Sequence, residues 1–388
     1  TDTIKNLLEG ATDLVTTVKF GSGWNNWMDA HYDSKGRLSD YNEIKHETGG
    51  NLDVYTHTHR TGITYDDITG TGQMLGYTEQ VNRAGQTMTL TTRSDLAYNT
   101  LGQILYYHDN ITNLNKAKQT GAAVDLVTDV YFGDVDDSGY TEGELAPDKK
   151  VIYDDKGMLQ QYTEYKIEYD ANKQTDLNGD GNNDDLTVTT TTTRSNIDYD
   201  ISTGQMLSYE ETTERDGQPQ TQTERTIGQG TKSTNGYNTL GQLISYTDII
   251  TYDEGPEALE TTVEFGTDGT SWGKATYNSY GMLYAYSERK TERSLNTSLP
   301  LEVVTTTNRS YIMYNINTGQ MLSYTEITDK DGQPKMQTVR LDIAYNTLGQ
   351  ITRYTDTIKN LLEGATDLVT TVQFSYDGTE WNKVTYDP

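Results

Sequence analysis

The chain has 388 residues but no cysteine, six prolines and four phenylalanines. Without cysteine there is no disulfide framework, so cysteine usage cannot indicate an oxidising compartment. Only 33% of the residues are hydrophobic, which argues against a large dry core. No apolar run is long enough to span a bilayer, so we expect no membrane insertion. The formal net charge of −28 argues against nucleic acid or anionic lipid as a partner, because both would be repelled.

The residues that are abundant belong to β-structure. The chain has 30 tyrosines and 35 glycines and is rich in threonine. Tyrosine and threonine favour strands, and glycine favours the turns between them. The composition therefore predicts an ordered β-protein.

Tyrosine-headed turns recur in a fixed order along the chain. The hexapeptide YNTLGQ occurs at 98–103, 237–242 and 345–350. Two other turns precede each copy, one of the type YDSKGRL at 32–38 and one of the type YNINTGQML at 314–322. Internal repeats of this kind indicate one structural unit used several times.

The repeats divide the chain into units 1–107, 108–246 and 247–354, with the start of a fourth at 355–388. Residues 355–374 repeat residues 1–20 with one change, since Lys19 corresponds to Gln373. We therefore expect the three-unit block itself to be a repeat, within a longer chain or continued by another copy.

Each sub-repeat predicts a β-hairpin. In 314–348 a tyrosine turn, a strand of about ten residues, an Asp-Gly turn and a returning strand follow one another. We predict an all-β fold of tandem antiparallel hairpins that form a continuous, spiralling meander sheet. Same-face ladders of Tyr and Thr should hold it, and pairs such as Tyr345 and Tyr354 should pack across strands.

The segment YDSKGRL at 32–38 resembles the Y-D-x-x-G-R-L motif of YD repeats, found in Rhs proteins, teneurins and related bacterial surface proteins. In that family, consecutive strand-turn-strand repeats form a sheet that spirals into a hollow shell. The resemblance implies a spiral sheet and an extracellular or cell-surface location. Nothing in the chain resembles the family's self-cleaving aspartyl segment or a C-terminal toxin.

The middle unit contains two acidic loops that predict calcium sites. In DLNGDGNNDDL at 176–186 the oxygen donors follow the alternate positions of a calcium loop. The predicted ligands are Asp176, Asn178, Asp180, Asn182 (through its carbonyl) and Asp184. The alternative interpretation is a solvated acidic turn.

The second loop, DVDDSGYTEGEL at 134–145, has the same alternation but places Glu144 one residue short of the twelfth position. Its predicted ligands are Asp134, Asp136, Ser138, Tyr140 and Glu142. Calcium in either loop would neutralise carboxylates and brace the loop without any chemistry of its own.

Catalytic patterns are scarce, so we expect no enzyme. His57 and His59 fall on one strand face, where two imidazoles can bind a transition metal or be ordinary strand surface. Trp24, Trp272 and Trp381 recur at one corner of the repeat, which favours packing over a carbohydrate platform.

These observations predict a non-enzymatic, extracellular structural protein. We expect it to form or extend a filament or surface fibre by self-association, braced locally by calcium. Two alternatives stay open. One is an adhesin or glycan-binding stalk, and the other is an Rhs-like hollow shell around a cargo.

Overall fold

The computed structural model describes residues 2–6, 14–21, 30–114, 126–134, 150–170, 187–229, 233–252, 259–273, 275–295, 301–346, 349–361 and 368–375. The chain divides into two compact units, residues 1–193 and residues 194–387. The described residues contain 23 strands and one short 3-10 turn at Thr234–Gly236. Among these residues no helix is long and apolar enough to cross a membrane.

The first unit contains eleven strands and the beginning of a twelfth. They are β1 Asp2–Asn6, β2 Leu14–Phe20, β3 His31–Tyr32, β4 Leu38–Gly49, β5 Leu52–Tyr65, β6 Met74–Arg83, β7 Met88–Tyr98, β8 Ile104–Leu114, β9 Leu126–Phe132, β10 Ile152–Tyr153, β11 Leu159–Asp170 and β12 Val188–Tyr199.

The second unit contains the end of β12 and the remaining described strands. They are β13 Met206–Arg215, β14 Thr221–Ile227, β15 Tyr246–Tyr252, β16 Leu259–Phe265, β17 Thr276–Tyr277, β18 Leu283–Ser294, β19 Glu302–Tyr314, β20 Met321–Lys330, β21 Met336–Tyr345, β22 Ile351–Asn360 and β23 Val369–Phe374.

The predicted all-β class of consecutive antiparallel hairpins is confirmed. Long strands pair with the next long strand along the chain, as β5 does with β6 and β20 with β21. The two-residue strands β3, β10 and β17 pair only beside a turn, so β2 pairs directly with β4, β9 with β11 and β16 with β18. The predicted Asp-Gly corners lie between β13 and β14 and between β20 and β21.

The hexapeptide at 98–103 forms the turn between β7 and β8. Asn99 accepts hydrogen bonds at Oδ1 from the backbone nitrogens of Leu101 and Gln103, at 2.9 and 3.0 Å. Its Nδ2 donates to the side-chain oxygen of Gln103 at 2.5 Å. Gly102 has φ +79°, a left-handed conformation that glycine adopts without a steric penalty. The copy at 237–242 makes the same side-chain bonds.

In six of the turns, the tyrosine at the start of the turn joins that turn to the one before it. Its hydroxyl donates to a backbone carbonyl, in most cases that of the first residue of the strand after the preceding turn. The pairs are Tyr65–Leu38 (2.8 Å), Tyr98–Met74 (2.7 Å), Tyr153–Ile104 (2.7 Å), Tyr237–Met206 (2.7 Å), Tyr277–Leu243 (2.5 Å) and Tyr345–Met321 (2.8 Å). Successive turns on one edge of the meander are therefore tied together.

One packing prediction for these tyrosines is wrong. Tyr345 and Tyr354 do not pack across the turn, since Tyr345 lies opposite Ile351 and Tyr354 stacks on Phe374 with ring centroids 5.0 Å apart. The turn closes at the Tyr345–Ile351 pair, so that Tyr354 lies three residues further along β22, opposite a bulge between Leu341 and Ala344.

The bulge recurs before other tyrosine turns. A residue with positive φ occupies it, and the next residue is apolar. The positive-φ residues are Gly62 (62°), Asp95 (57°), Asn196 (52°), Tyr311 (53°) and Asp342 (58°). Four of the following side chains are nearly inaccessible to solvent: Leu96, Ile197, Ile312 and Ile343. In four of these strands the bulge thus turns one apolar side chain into the small core.

Removing the hydroxyl of Tyr345 should loosen its turn. We expect Tyr345→Phe to lower the free energy of unfolding by about 1 kcal/mol, because the Met321 carbonyl loses its donor. Urea titration followed by circular dichroism measures the change. Tyr32→Phe is the matched control, because the Tyr32 ring is 60% exposed. Equal stability of the Tyr345 variant and the wild type would contradict the role of the hydroxyl.

Tyr311 carries backbone strain that glycine would relieve. Since Gly62 occupies the equivalent bulge, we expect Tyr311→Gly to stabilise the chain by about 1 kcal/mol in the same titration. Tyr311→Val should destabilise it, because a β-branched residue tolerates positive φ least. A glycine variant that unfolds at lower urea than the wild type would show that the edge contact of Tyr311 with Tyr284 matters more than the strain.

Candidate functional site: an arginine–aromatic ladder

One face of the first unit carries a row of arginine and aromatic side chains, one from each successive long strand. We call it the ladder. The distances between neighbouring ring centroids, or from a ring centroid to the arginine Cζ, are Phe20–Tyr41 5.1 Å, Tyr41–Arg60 5.6 Å, Arg60–Tyr77 4.1 Å, Tyr77–Arg93 5.8 Å, Arg93–Tyr107 3.9 Å, Tyr107–Phe132 5.1 Å and Phe132–Tyr162 5.4 Å. These spacings are close to the separation of neighbouring strands.

The second unit has its own ladder with the same order of residue types. Its contacts are Arg194–Tyr209 4.2 Å, Tyr209–Arg225 5.5 Å, Arg225–Tyr246 4.1 Å, Tyr246–Phe265 5.1 Å, Phe265–Tyr286 5.4 Å, Tyr286–Arg309 5.6 Å, Arg309–Tyr324 4.3 Å, Tyr324–Arg340 5.6 Å, Arg340–Tyr354 3.9 Å and Tyr354–Phe374 5.0 Å. A phenylalanine replaces arginine at regular intervals in both ladders.

Each ladder arginine also forms an ion pair with a carboxylate on the next strand. The acid stands two residues after a ladder tyrosine, so that Tyr-x-Glu or Tyr-x-Asp supplies both partners. The pairs are Arg60–Glu79, Arg93–Asp109, Arg194–Glu211, Arg225–Asp248, Arg309–Glu326 and Arg340–Asp356. Each guanidinium therefore has rings beside it and a carboxylate at its edge.

The aspartates and the glutamates of these pairs bind the guanidinium differently, as Asp109 and Glu79 show. Asp109 accepts from Nε and Nη2 of Arg93 with separate oxygens, at 2.7 and 2.5 Å, which is a bidentate pair. Glu79 accepts from the same two nitrogens of Arg60 with one oxygen, at 2.8 and 2.5 Å. Asp109 is well shielded, with 9% of its side chain exposed.

The electrostatics of the ladder favour cohesion over proton transfer. Hydrogen bonding to Asp109 raises the pKa of Arg93 above its ordinary value, and hydrogen bonding to Asp356 does the same for Arg340. Burial raises the pKa of Tyr246 to about 12. None of these three groups changes charge near neutral pH. Cation–π contacts of this kind each stabilise by about 0.5–2 kcal/mol, depending on exposure.

Where phenylalanine replaces arginine, the acid of the next strand faces a ring. Glu288 lies opposite Phe265 on one side and Thr307 on the other. Burial raises the pKa of Glu288, while the charges of Arg309 and Lys290 lower it and those of Asp248 and Glu326 raise it. Glu288 is thus held in its charged form at a cost that the arginine-paired acids avoid.

The sign of the pH effect follows from that raised pKa. Below the unfolded pKa, Glu288 is protonated in both states, whereas above the folded pKa the folded state carries an unfavourable charge. We expect Glu288→Gln to raise the urea midpoint relative to the wild type at pH 7. The difference between the two should vanish at about pH 3.5, where the carboxyl of the wild type is protonated in both states.

Glu326→Gln is the matched control, since it stands at the equivalent position but pairs with Arg309. It should lower the free energy of unfolding at pH 7 by about 2 kcal/mol, because it removes a hydrogen-bonded charge. If Glu288→Gln and Glu326→Gln shifted the urea midpoint at pH 7 in the same direction, the cost of the glutamate charge would not depend on whether phenylalanine or arginine lies opposite it.

The predicted calcium ligands fall almost entirely outside the described residues. Only Asp134 is described, and its side chain is buried, with 4% exposed. The ligands that lie outside are Asp136, Ser138, Tyr140 and Glu142 of the second loop and Asp176, Asn178, Asp180, Asn182 and Asp184 of the first. Calcium binding stays a prediction from the sequence.

The histidine pair lies on β5. His57 is opposite Ile44 and Asn82, and burial lowers its pKa. His59 is opposite Asn42 and Gln80. Within the described residues, no group of three or more His, Cys, Asp or Glu side chains is arranged to hold a metal ion.

Of the three tryptophans that recur at one corner of the repeat, only Trp272 is described. It is half-buried and bridges to Thr267 at the corner after β16. Trp24 and Trp381 lie outside the described residues. The structure therefore places one member of the set, beside the buried Thr267.

Sequence reasoning missed the ladder arginines. A signal was present, because Arg60, Arg93, Arg194, Arg309 and Arg340 each stand five residues before a turn tyrosine. The predicted ladder of Tyr and Thr is only partly right, because arginine alternates with tyrosine in it. Thr78 and Thr92 face each other at 3.5 Å, outside this row.

No protein-family model fits the chain, and no curated protein is significantly similar to it in sequence. The resemblance to YD repeats thus stays a prediction from the turn motif.

Proposed function

We propose that this chain is a non-enzymatic structural repeat protein that forms or extends a filament or surface fibre, outside the cell or at the cell surface. The observation that carries the proposal is the ladder. Each of its members contacts the members on neighbouring strands, so the same contact can be repeated for any number of strands. Architectures of this kind extend in one dimension.

The distribution of charge supports an extended role. The net charge of −28 keeps such molecules soluble and apart along their sides. The ladder pairs part of the acidic groups internally with arginine, so that lengthening the sheet adds a neutralised charge pair at each arginine strand.

A glycan-binding surface is the less favoured function. Sugars bind aromatic residues by stacking on the open face of a ring, and in the ladder arginine covers ring faces, as Arg60 does for Tyr77 at 4.1 Å. The tyrosines with exposed rings, such as Tyr32 and Tyr311, are separate from the ladder. A stalk function would require binding at such separate rings.

Calcium belongs to this proposal as a local brace. Calcium at Asp176 to Asp184, and at Asp134 to Glu142, would neutralise clustered carboxylates in the middle unit. The YD-like turns support a surface location by resemblance only. A closed shell around a cargo, as in Rhs proteins, would use the same turns.

The experiment is negative-stain electron microscopy of the 388-residue chain with calcium and with a chelator. We expect uniform filaments with calcium and looser or shorter ones in chelator. The matched variant Asp180→Asn/Asp184→Asn should resemble the chelated wild type in both buffers, because it lacks two predicted ligands.

Each other outcome contradicts a defined part of the proposal. Discrete monomers in both buffers would overturn the filament and favour a stalk, whose saturable binding a glycan array would detect. Closed hollow particles would favour the shell. Filaments that ignore both the chelator and the double substitution would remove calcium from the assembly.

A further inference from the structure

We propose that copies of this chain join by hairpin exchange: the β22–β23 hairpin of one copy takes the place of the β1–β2 hairpin of a second copy, and β23 of the first pairs with β4 of the second. The mechanism rests on the proposed filament function, for which it supplies the contact between copies.

The two hairpins are interchangeable by sequence and by register. Residues 1–20 and 355–374 differ only at Lys19 and Gln373. In the first hairpin Asp2 pairs with Val18 and Asn6 with Leu14. In the second hairpin Asp356 pairs with Val372, and these two residues correspond to Asp2 and Val18 in the repeated sequence. Each hairpin therefore presents the same backbone edge.

The receiving edge is already defined inside the chain. β2 pairs with β4 from Val15 opposite Thr48 to Phe20 opposite Glu43, and Phe20 stacks on Tyr41 at 5.1 Å. β23 repeats that strand from Val369 to Phe374. In the described residues β23 pairs with β22, and hairpin exchange assigns its second edge to β4 of another copy.

Exchange would also continue the ladder from one copy to the next. Phe374 already stacks on Tyr354 at 5.0 Å. In the position of Phe20 it would stack on Tyr41 of the second copy as well, so that the order of tyrosine, phenylalanine and tyrosine matches that of Tyr246, Phe265 and Tyr286 within one chain.

The two hairpins differ in how firmly they are held. β22 pairs along its length with β21, and the Arg340–Asp356 ion pair joins these strands. β1 pairs in the described residues only with β2. The first hairpin is attached to β4 through β2 by six residue pairs and the Phe20–Tyr41 stack, whereas eight pairs and an ion pair attach β22 to β21, so β1–β2 should open more readily than β22–β23. Its release returns conformational entropy, whereas the incoming hairpin is already ordered.

The direction of the backbone groups identifies decisive substitutions. The Gly21 nitrogen donates to the Asn42 carbonyl, so by alternation the Thr17 N–H also points to β4. Just before β23 the Leu368 carbonyl accepts a hydrogen bond from the Asn360 nitrogen, so the backbone groups of Leu368 face β22. Thr371 lies three residues further along, and because the direction alternates at each residue, its N–H points away from β22. Proline at 371 is therefore compatible with β23 as an edge strand and blocks pairing on the open side.

The test compares Thr371→Pro with Thr17→Pro by sedimentation velocity and electron microscopy, on 388-residue chains whose circular dichroism matches the wild type. Thr371→Pro should weaken association by about tenfold or more, because β23 loses a donor and gains a clash. Thr17→Pro should strengthen association, because it loosens β2 from β4 and frees the receiving edge. Combining the two substitutions should abolish the gain.

The outcomes separate this mechanism from the filament itself. Wild-type filaments that Thr371→Pro leaves unchanged would overturn hairpin exchange and leave the filament standing. A wild type without filaments would overturn the filament, and exchange would then stand only if Thr17→Pro forms oligomers that the second proline removes. Monomeric Thr17→Pro would overturn exchange.

Disulfide trapping keeps the mechanism testable if a proline variant fails to fold. Val18 pairs with Lys45, so exchange places Val372 of one copy opposite Lys45 of the other. Because the chain has no native cysteine, mixed Val372→Cys and Lys45→Cys copies can form one kind of mixed disulfide. Mixing Val372→Cys with Glu43→Cys, two residues out of register, is the control. Equal yields in the two mixtures would contradict the proposed register.

Discussion

The fold depends on the arginine–aromatic stack, because the chain has too few apolar residues to be held by an ordinary core. Its hydrophobic content is 33%, and the buried apolar side chains of the described residues, apart from Ala275, lie singly on separate strands. A sheet without a deep core gains stability from cross-strand pairs, and an arginine between two tyrosine rings combines ring contact with charge. The carboxylate two residues beyond the tyrosine then removes the cost of holding that charge half-buried.

The turns and the ladder are coupled through the bulge that lies between them. Arg340 is in the ladder, Asp342 has positive φ, Ile343 is buried, and Tyr345 bonds to the preceding turn. The left-handed residue changes the direction of the strand between the ladder and the turn. As a result the tyrosine hydroxyl fixes the spacing of successive turns while the arginine fixes the spacing of successive strands.

Local features of this fold could be predicted, and register-dependent ones could not. The YNTLGQ turn was predictable because Asn99, Gly102 and Gln103 determine it within six residues. The ladder was not, because Arg93 meets Tyr77 and Tyr107 only through strand register. The wrong pairing of Tyr345 with Tyr354 has the same origin, since the register places Tyr345 opposite Ile351 and Tyr354 opposite the bulge at Asp342. The predicted calcium ligands beyond Asp134 lie outside the described residues.

Phenylalanine marks the junctions at which the ladder is least constrained. A bidentate ion pair joins β21 and β22, so separating these strands breaks two charge-assisted hydrogen bonds between Arg340 and Asp356. Between β2 and β4 the ladder contact is the Phe20–Tyr41 stack. Separating these two strands therefore exposes a ring but breaks no ladder ion pair. The cost of opening is therefore lower at a phenylalanine strand than at an arginine strand. A repeat that alternates the two can be stable along its length and still have defined places where one hairpin replaces another.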